Sequence, residues 1–171
     1  MLNKKMEQAF NAQINAEMYS AYLYLSMAAY FENKNLPGFA NWMRIQFQEE
    51  WAHAMKFFNY VIERGGKVEL EQIDKPHNEW KDAVDVMEET LKHEHHVTSL
   101  INQLMSLSHE EKDYASISML QWFVDEQVEE EATASALLEN LKLIEGKGPG
   151  MFMLDKELAQ RVFVDPLQQG A

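Results

Sequence analysis

The sequence predicts an all-α protein: a four-helix up-down-down-up bundle with one long crossover and a short C-terminal fifth helix. Three observations support this prediction. Pro and Gly are few and clustered, the long segments between these clusters have helical periodicity, and one connection is much longer than the others. No segment shows the alternating pattern of a strand.

The predicted helices fall between the Pro- and Gly-containing stretches NLPGF, RGGKV, DKPHN and EGKGPGM. Asp113 precedes the fourth helix, where its carboxylate is suited to cap the first turn. Together the helices and their connections are expected to form a single domain over residues 1–171. The predicted helices cover about 4–32, 38–65, 82–110, 113–145 and 151–161, and the crossover covers 66–81.

The lengths of the connections predict the order of the helices. The first and third connections are short, so each joins an antiparallel helical hairpin. The crossover at 66–81, fully extended, spans roughly 50 Å, whereas a helix of 28 residues is about 42 Å long. The crossover is therefore long enough to run the length of the bundle and to make the second and third helices parallel.

The composition excludes several classes of function. The chain has 171 residues, no cysteine and a net charge of −13, so disulfides, zinc–thiolate sites and iron–sulfur clusters are excluded. The negative charge argues against nonspecific binding to nucleic acid. The N-terminal stretch MLNKKMEQAF lacks the apolar core of a signal peptide, and the longest apolar stretch is too short to cross a bilayer. We expect a cytoplasmic protein without a membrane partner.

Each long helix has an apolar row that faces the core, and each row is interrupted near its middle by polar residues. Because helices of similar length place their middles at similar heights, these residues are expected to converge in one layer. They are Glu17 in the first helix, Glu50 and His53 in the second, Glu94 in the third, and Gln127 and Glu130 in the fourth.

Four carboxylates in a dry core are unstable unless they are protonated or paired with cations. No Lys or Arg lies in the core rows, and two divalent metal ions would balance the four negative charges. Oxygen ligands with one imidazole suit iron or manganese. A single Glu in a core row usually means a misjudged helix rotation, but four at one level indicate a metal site. Glu50 and His53, three residues apart in EEWAH, share one helix face.

Tyr24 lies two turns beyond Glu17, roughly 10 Å along the helix axis. Long side chains on a helix point back toward its N-terminus, so the hydroxyl is expected to approach the metal layer. It is either a group that supports the metal chemistry or an ordinary buried tyrosine with a hydrogen-bond partner. Three histidines turn away from the core row by about 100° or more and are expected at solvent or a subunit contact: His93, His95 and His96.

The residues of the acidic stretch VDEQVEEE point in different directions around the axis of the fourth helix. At about 100° per residue, Gln127 and Glu130 point inward. Glu126 lies about 70° to one side and Glu129 about 130° away on that side, whereas Asp125 is nearly opposite the core.

Five segments resemble, in order and spacing, those of the non-haem bacterial and archaeal ferritins, and the resemblance covers essentially the whole chain. They are NAQINAEMYSAYLYLSMA, FQEEWAHAMKF, LKHEHH, LQWFVDEQVEEE and FMLDKEL. The resemblance implies a ferroxidase centre with two irons inside each subunit. The first iron would use Glu17, Glu50 and His53, and the second would share Glu50 and add Glu94, Glu130 and Gln127.

The resemblance also implies the wider function of the family. A third iron site would use Glu49, Glu126 and Glu129, and Glu130 is in a position to be shared with it. Dioxygen or hydrogen peroxide would oxidise Fe(II), and Fe(III) would move into the cavity of a 24-subunit shell and be stored as a mineral. The fifth helix would lie near the fourfold axes of that shell.

Two departures separate this chain from the related bacterioferritins. Gln127 and Glu130 stand where those proteins carry a second E-x-x-H, so the second iron is expected to bind more loosely. Trp51 stands at the position of their haem-binding methionine, so we expect no haem. Two other functions remain open: a di-iron oxidase that acts on an organic substrate, and a structural bundle whose buried acids are protonated.

Overall fold

The computed structural model describes residues 1–165, so the last six residues of the domain predicted over 1–171 lie outside the described part. Five α-helices are present, and no strand occurs in this part of the chain. The predicted all-α class with a short fifth helix is confirmed. The helices are α1 (Lys4–Asn33), α2 (Pro37–Glu63), α3 (Ala83–Glu110), α4 (Tyr114–Leu143) and α5 (Gly148–Leu158).

Side chains cap the first turns of three long helices. The Asn3 side chain accepts a hydrogen bond from the backbone N–H of Met6 at the start of α1. The Asp82 side chain accepts one from the backbone N–H of Asp85 at the start of α3. Asp113 accepts from the N–H of Ser116 at 3.2 Å, which confirms its predicted capping role at α4. Each cap satisfies a backbone donor that the helix itself leaves unpaired.

The fifth helix lies three residues earlier in the chain than the predicted 151–161. Its first turn contains Pro149, whose fixed φ suits that position, so the GPG stretch begins the helix instead of preceding it. The helix ends at Leu158, where the side chain of Asn41 donates to the carbonyls of Leu158 and Arg161 at 3.1 and 3.0 Å.

The N-terminus of α2 is capped by α5. The N-cap residue of α2 is Leu36, whose side chain makes no capping hydrogen bond. Instead, the buried carboxylate of Asp155 accepts from the backbone N–H groups of Gly38 and Phe39 at 2.8 and 3.0 Å. A Cβ atom at Gly38 would lie 1.6 Å from the backbone oxygen of Asp155, so only glycine permits this close approach. The contact fixes α5 against α2.

The long helices pack in the predicted order. Phe10 of α1 contacts Phe57 of α2, and Phe31 contacts Phe39, so α1 and α2 are antiparallel. Met6 of α1 meets Ser108 of α3, and Tyr24 meets Glu94, so α1 and α3 are also antiparallel. The helices α2 and α3 are therefore parallel, as the predicted crossover requires.

The crossover follows α1 from one end of the bundle to the other. Asn11 donates to the carbonyl of Lys67 at 2.9 Å, and Asn15 donates to that of Gln72 at 3.0 Å. Ser26, near the other end of α1, donates to the carbonyl of His77 at 2.7 Å. These contacts satisfy backbone groups that an extended segment would otherwise leave without a protein partner.

The apolar core consists of two clusters separated along the bundle axis. One cluster includes Phe31, Phe39 and Met87, and the other includes Phe10, Phe57 and Ile101. The interruptions that periodicity predicted in each core row fall between these clusters. No helix in the described part of the chain is both long and apolar enough to cross a membrane.

Candidate metal centre

All six polar residues predicted to interrupt the core rows lie buried between the two apolar clusters. None has more than 6% of its surface exposed, although four of them carry a carboxylate. They come from all four long helices: Glu17 from α1, Glu50 and His53 from α2, Glu94 from α3, and Gln127 and Glu130 from α4.

The α1/α2 side of this layer holds three candidate ligands close together. One possible metal-ligand atom from each of Glu17, Glu50 and His53 lies within 4.8 Å of the other two. The Nδ1 atom of His53 lies 3.7 Å from Oε2 of Glu50. Glu50 and His53 are brought to the same face of α2 by their three-residue spacing.

Three buried side-chain atoms on this side have no hydrogen-bond partner: Oε2 of Glu17, Oε2 of Glu50 and Nε2 of His53. A buried polar atom without a partner is destabilising. All three atoms belong to the residues of the cluster, as expected if a metal ion is the partner that they lack.

The α3/α4 side has the opposite character, because its carboxylate oxygens accept hydrogen bonds. Tyr24 donates its hydroxyl to Oε1 of Glu94, and Gln127 donates to Oε2 of the same carboxylate at 3.2 Å. Gln46 donates to Oε2 of Glu130 at 2.8 Å. In this arrangement Gln127 supports Glu94 through its amide nitrogen, and its amide oxygen is the atom suited to a metal.

Two glutamines that periodicity places in the core rows, Gln13 and Gln46, have roles that sequence reasoning missed. Gln13 donates to Oε1 of Glu17 at 2.8 Å, which leaves Oε2 as the oxygen without a partner. Gln46 orients Glu130 in the same way. Such supporting hydrogen bonds fix the orientation of metal ligands. Their spacing of four residues from Glu17 and from Glu50 is the only sequence signal for this role.

Burial is the main reason that the carboxyl groups resist ionisation. It raises the pKa of Glu17 well above its ordinary value, with a further contribution from the charge of Glu50. Burial and the charges of Glu94 and Glu130 raise the pKa of Glu50 in the same direction. Burial raises the pKa of Glu94 to about 7 and also raises that of Glu130. The layer thus favours any ligand that brings positive charge.

Tyr24 lies in the layer as its helix position predicted. It is fully buried, and its hydroxyl contacts a candidate ligand, Glu94. Burial raises the pKa of the Tyr24 hydroxyl well above its ordinary value, and the nearby carboxylate charges act in the same direction. The neutral hydroxyl is therefore the stable form, and it acts as a hydrogen-bond donor.

The three residues predicted for a third iron site are less closely grouped. Within residues 1–165, Glu17, Glu50 and His53 are the one set of three candidate ligands that meets the 4.8 Å distance. Oε1 of Glu126 lies 3.9 Å from Nε2 of His53, and Glu129 is exposed. Oε2 of Glu49 accepts a hydrogen bond from Nη2 of Arg161 at 2.7 Å.

The histidines outside the core row are not all in the predicted environment. His95 and His96 are exposed, and His95 lies 3.1 Å from a carboxylate oxygen of Glu131. His93 is instead partly buried, because it packs against the ring of Tyr24 and its Nε2 lies 2.8 Å from Oγ of Ser20. Burial lowers the pKa of His93 to about 4.

The sequence profile of the ferritin-like domain family matches residues 7–144, which span the four long helices. That match covers most of the chain and includes every candidate ligand. The chain belongs to the ferritin family. The similarity extends to a bacterial non-haem ferritin from Bacteroides fragilis, with 42% identity over 94% of this chain and 100% of the relative. A probable non-haem ferritin-like protein from Haemophilus influenzae is 38% identical over 92% of this chain and 96% of the relative.

Solved structures of archaeal ferritins have the same fold. An engineered closed form of the Archaeoglobus fulgidus ferritin superposes with a TM-score of 0.95 and 49% identity, over 96% of this chain and all of that chain. An open-pore ferritin from the same archaeon has a TM-score of 0.93 and 50% identity, over 94% of this chain and 98% of that chain. The ferritins are an iron-storage family with ferroxidase activity, and the buried Glu and His cluster of this chain agrees with that function.

Proposed function

We propose that this ferritin stores iron by oxidising Fe(II) to Fe(III) at an intrasubunit di-iron centre and by holding the product as a ferric mineral inside a homo-oligomeric shell. The whole chain, residues 1–171, would work as one di-iron domain. The observation that carries the proposal is that Glu17, Glu50 and His53 each have a buried atom that can bind a metal ion and has no hydrogen-bond partner. Iron is here the substrate and the cargo.

The first Fe(II) would bind to Glu17, Glu50 and His53. Two carboxylates and one imidazole offer hard oxygen and nitrogen donors, which suit Fe(II). The two carboxylates neutralise the divalent charge, and the ion replaces the missing partners of their Oε2 atoms. The hydrogen bond from Gln13 to Oε1 of Glu17 can remain in place.

The second Fe(II) would share Glu50 and use Glu94, Glu130 and the amide oxygen of Gln127. Its ligands differ from those of the first ion because Tyr24, Gln46 and Gln127 already donate to the carboxylates. Binding must rearrange some of these hydrogen bonds, and the second position supplies no imidazole. We expect the second ion to bind more weakly for both reasons.

Oxidation removes one electron from each of the two bound Fe(II) ions. With dioxygen as oxidant, the two electrons and two protons give hydrogen peroxide. With hydrogen peroxide as oxidant, the two electrons and two protons give two water molecules. The carboxylates favour the more highly charged Fe(III) because they supply negative charge in a site from which water is largely excluded. Tyr24 holds Glu94 in position through its hydroxyl.

The product would leave on the side of α2 and α4 that carries Glu49, Glu126 and Glu129, the predicted third iron site. Glu126 is half-buried and approaches His53, whereas Glu129 is exposed, so the acids form a gradient from the centre outward. We propose that 24 copies of the chain form the shell. The support for an oligomer is the resemblance to archaeal ferritins, one of which is described as open-pore and another as closed.

Aerobic addition of Fe(II) to the metal-free protein tests the ferroxidase step. A fast rise in near-ultraviolet absorbance from Fe(III), saturating at two irons per subunit, is the expected result. The Glu50→Ala variant should lose the fast phase. Asp125→Ala, which removes an exposed acid from α4, is the matched control and should keep it. Wild-type protein that shows no fast phase would contradict the proposal, and size exclusion of the same sample reports the shell.

A further inference from the structure

Arg161 lies just beyond α5 and reaches one face of α2 beside the metal layer. Its Nη1 donates to Oε1 of Gln46 at 2.5 Å, and its Nη2 donates to Oε2 of Glu49 at 2.7 Å. Its guanidinium carbon lies 5.0 Å from the centre of the Trp42 ring. Because Trp42, Gln46 and Glu49 are four and three residues apart, they project from neighbouring turns on the same side of the helix.

The position of Arg161 is fixed by its backbone as well as by its side chain. Asn41 donates to the carbonyl oxygen of Arg161 at 3.0 Å. The preceding helix α5 is attached to the N-terminus of α2 by the buried carboxylate of Asp155. Little conformational freedom remains for the guanidinium to lose, so its contacts with α2 are stronger than those of a mobile surface arginine.

The Glu49 carboxylate is the point where a metal ion and this guanidinium would compete. The ion pair is partly shielded from water, with 17% of the Glu49 side chain and 27% of the Arg161 side chain exposed. A charge-assisted hydrogen bond in such a setting is stronger than one on an open surface. A divalent ion that binds Glu49 would either displace this guanidinium or share the carboxylate with it and lie close to its positive charge.

The other end of the guanidinium is tied to the metal layer itself. Gln46 accepts from Arg161 through Oε1 and donates through Nε2 to Oε2 of Glu130 at 2.8 Å. Glu130 is the carboxylate that the third site would share with the second. Arg161 is thus connected to both acids at the edge of the third site, to Glu49 by one hydrogen bond and to Glu130 by two hydrogen bonds through Gln46.

We propose that Arg161 is a tethered cation that takes the place of a third metal ion at Glu49, so that each subunit binds two divalent ions tightly and a third only weakly. This inference rests on the proposed function, because the third site adjoins the di-iron centre. It assigns to the segment after α5 a role in setting how many metal ions the centre holds.

Calorimetric titration of the metal-free, assembled protein with Zn(II), which is redox-inert, tests the inference. Four proteins are compared: wild type, Arg161→Met, Arg161→Lys and Lys156→Met. The last is the matched control, since Lys156 is an exposed cation on α5 whose amine lies over Phe152. Arg161→Gln is a second variant that removes the charge and keeps a polar end group beside Gln46, in case Arg161→Met does not fold.

We expect Arg161→Met and Arg161→Gln to bind the third Zn(II) about tenfold more tightly than wild type, because the loss of a charge-assisted hydrogen bond removes the competitor. Arg161→Lys keeps the positive charge and should resemble wild type, as should Lys156→Met. Adding Glu49→Gln to Arg161→Met should abolish the gain, which would locate the new ion at Glu49.

An unchanged third step in both charge-removing variants, with the first two steps intact, would overturn this inference alone. An equal gain in Lys156→Met would also overturn it, because net charge would then explain the effect. Wild-type protein that binds no Zn(II) at the first two positions would overturn the proposed function and this inference together.

Discussion

The two sides of the metal layer are built from similar residues but differ in how their polar atoms are satisfied. On the α1/α2 side, Glu17, Glu50 and His53 each carry a buried atom without a hydrogen-bond partner. On the α3/α4 side, Glu94 accepts hydrogen bonds at both oxygens, and Glu130 accepts one. A metal ion on the first side would meet atoms that have no hydrogen-bond partner, whereas one on the second side would have to replace hydrogen bonds.

This difference indicates an order of binding. An ion at the first position would satisfy three buried atoms that have no hydrogen-bond partner, while an ion at the second position would compete with the amides of Gln46 and Gln127 for carboxylate oxygens. The expected consequence is one tight position and one weaker position within a single buried layer. The weaker position suits an ion that must be released after oxidation.

The largest effect is expected from Glu50→Gln, because in the proposed centre Glu50 would bind both ions. Losing a metal ligand costs more than losing a supporting residue, so the rate of fast Fe(II) oxidation should fall by about 100-fold or more. The same substitution should raise the melting temperature of the metal-free protein by a few degrees, since it removes a carboxyl whose ionised form is destabilised by burial. Stopped-flow absorbance and thermal unfolding measure the two effects.

In the Glu50→Gln protein the rate of Fe(II) oxidation must fall, whereas the melting temperature of the metal-free protein must rise. Asp125→Asn is the control, because Asp125 is an exposed acid of α4. A Glu50→Gln protein that oxidises Fe(II) at the wild-type rate, or that is less stable than wild type without metal, would contradict the assignment.

A comparison of Glu17→Gln with Glu94→Gln separates the two positions. Glu17→Gln should weaken the first Zn(II) by roughly 100-fold, since an essential ligand is lost. Glu94→Gln should leave the first ion within a few-fold of wild type and weaken the second. Titration calorimetry resolves the two steps, and equal losses of the first ion in both variants would show that the layer does not divide as described.

The supporting hydrogen bonds give a smaller contrast of the same kind. Gln13→Leu removes the donor to Glu17, and Tyr24→Phe removes the donor to Glu94. Each should weaken one ion by about tenfold, the first in Gln13→Leu and the second in Tyr24→Phe. Zn(II) titrations in which Gln13→Leu weakens the second ion, or Tyr24→Phe the first, would contradict these supporting roles.

The pH dependence of stability should change sign when metal binds. Burial raises the pKa of Glu94 from 4.5 to about 7, so the folded metal-free protein holds more protons than the unfolded chain in this interval. Its free energy of unfolding should therefore fall as pH rises from 4.5 to 7. With saturating Zn(II) it should rise with pH, because metal binding displaces protons. Denaturant unfolding at several pH values checks both slopes.

Helical periodicity was sufficient to predict the fold and to place the polar layer. The angle of each residue about its helix determines which side chains face the core, so Glu17, Glu50, His53, Glu94, Gln127 and Glu130 could be selected without knowing their neighbours. The crossover was predictable because its length could be compared with that of a helix.

Contacts between elements distant in sequence could not be predicted in this way. Gln13 and Gln46 lie on the core faces of their helices, but their roles depend on which carboxylate oxygen lies within hydrogen-bond reach. The capping of α2 by Asp155 and the approach of Arg161 to Glu49 depend on how α5 docks. Periodicity gives the faces of a helix, and it does not give the position of a helix that contributes little to the core.

Anomalous diffraction from crystals soaked with less than one equivalent of Zn(II) per subunit tests the central contrast most directly. We expect a single metal peak between Glu17, Glu50 and His53, with Glu94 still bonded to Tyr24 and Gln127. A second peak beside Glu94 and Glu130 should appear only at higher Zn(II). First occupancy beside Glu94 and Glu130, or at Glu49, would contradict the account.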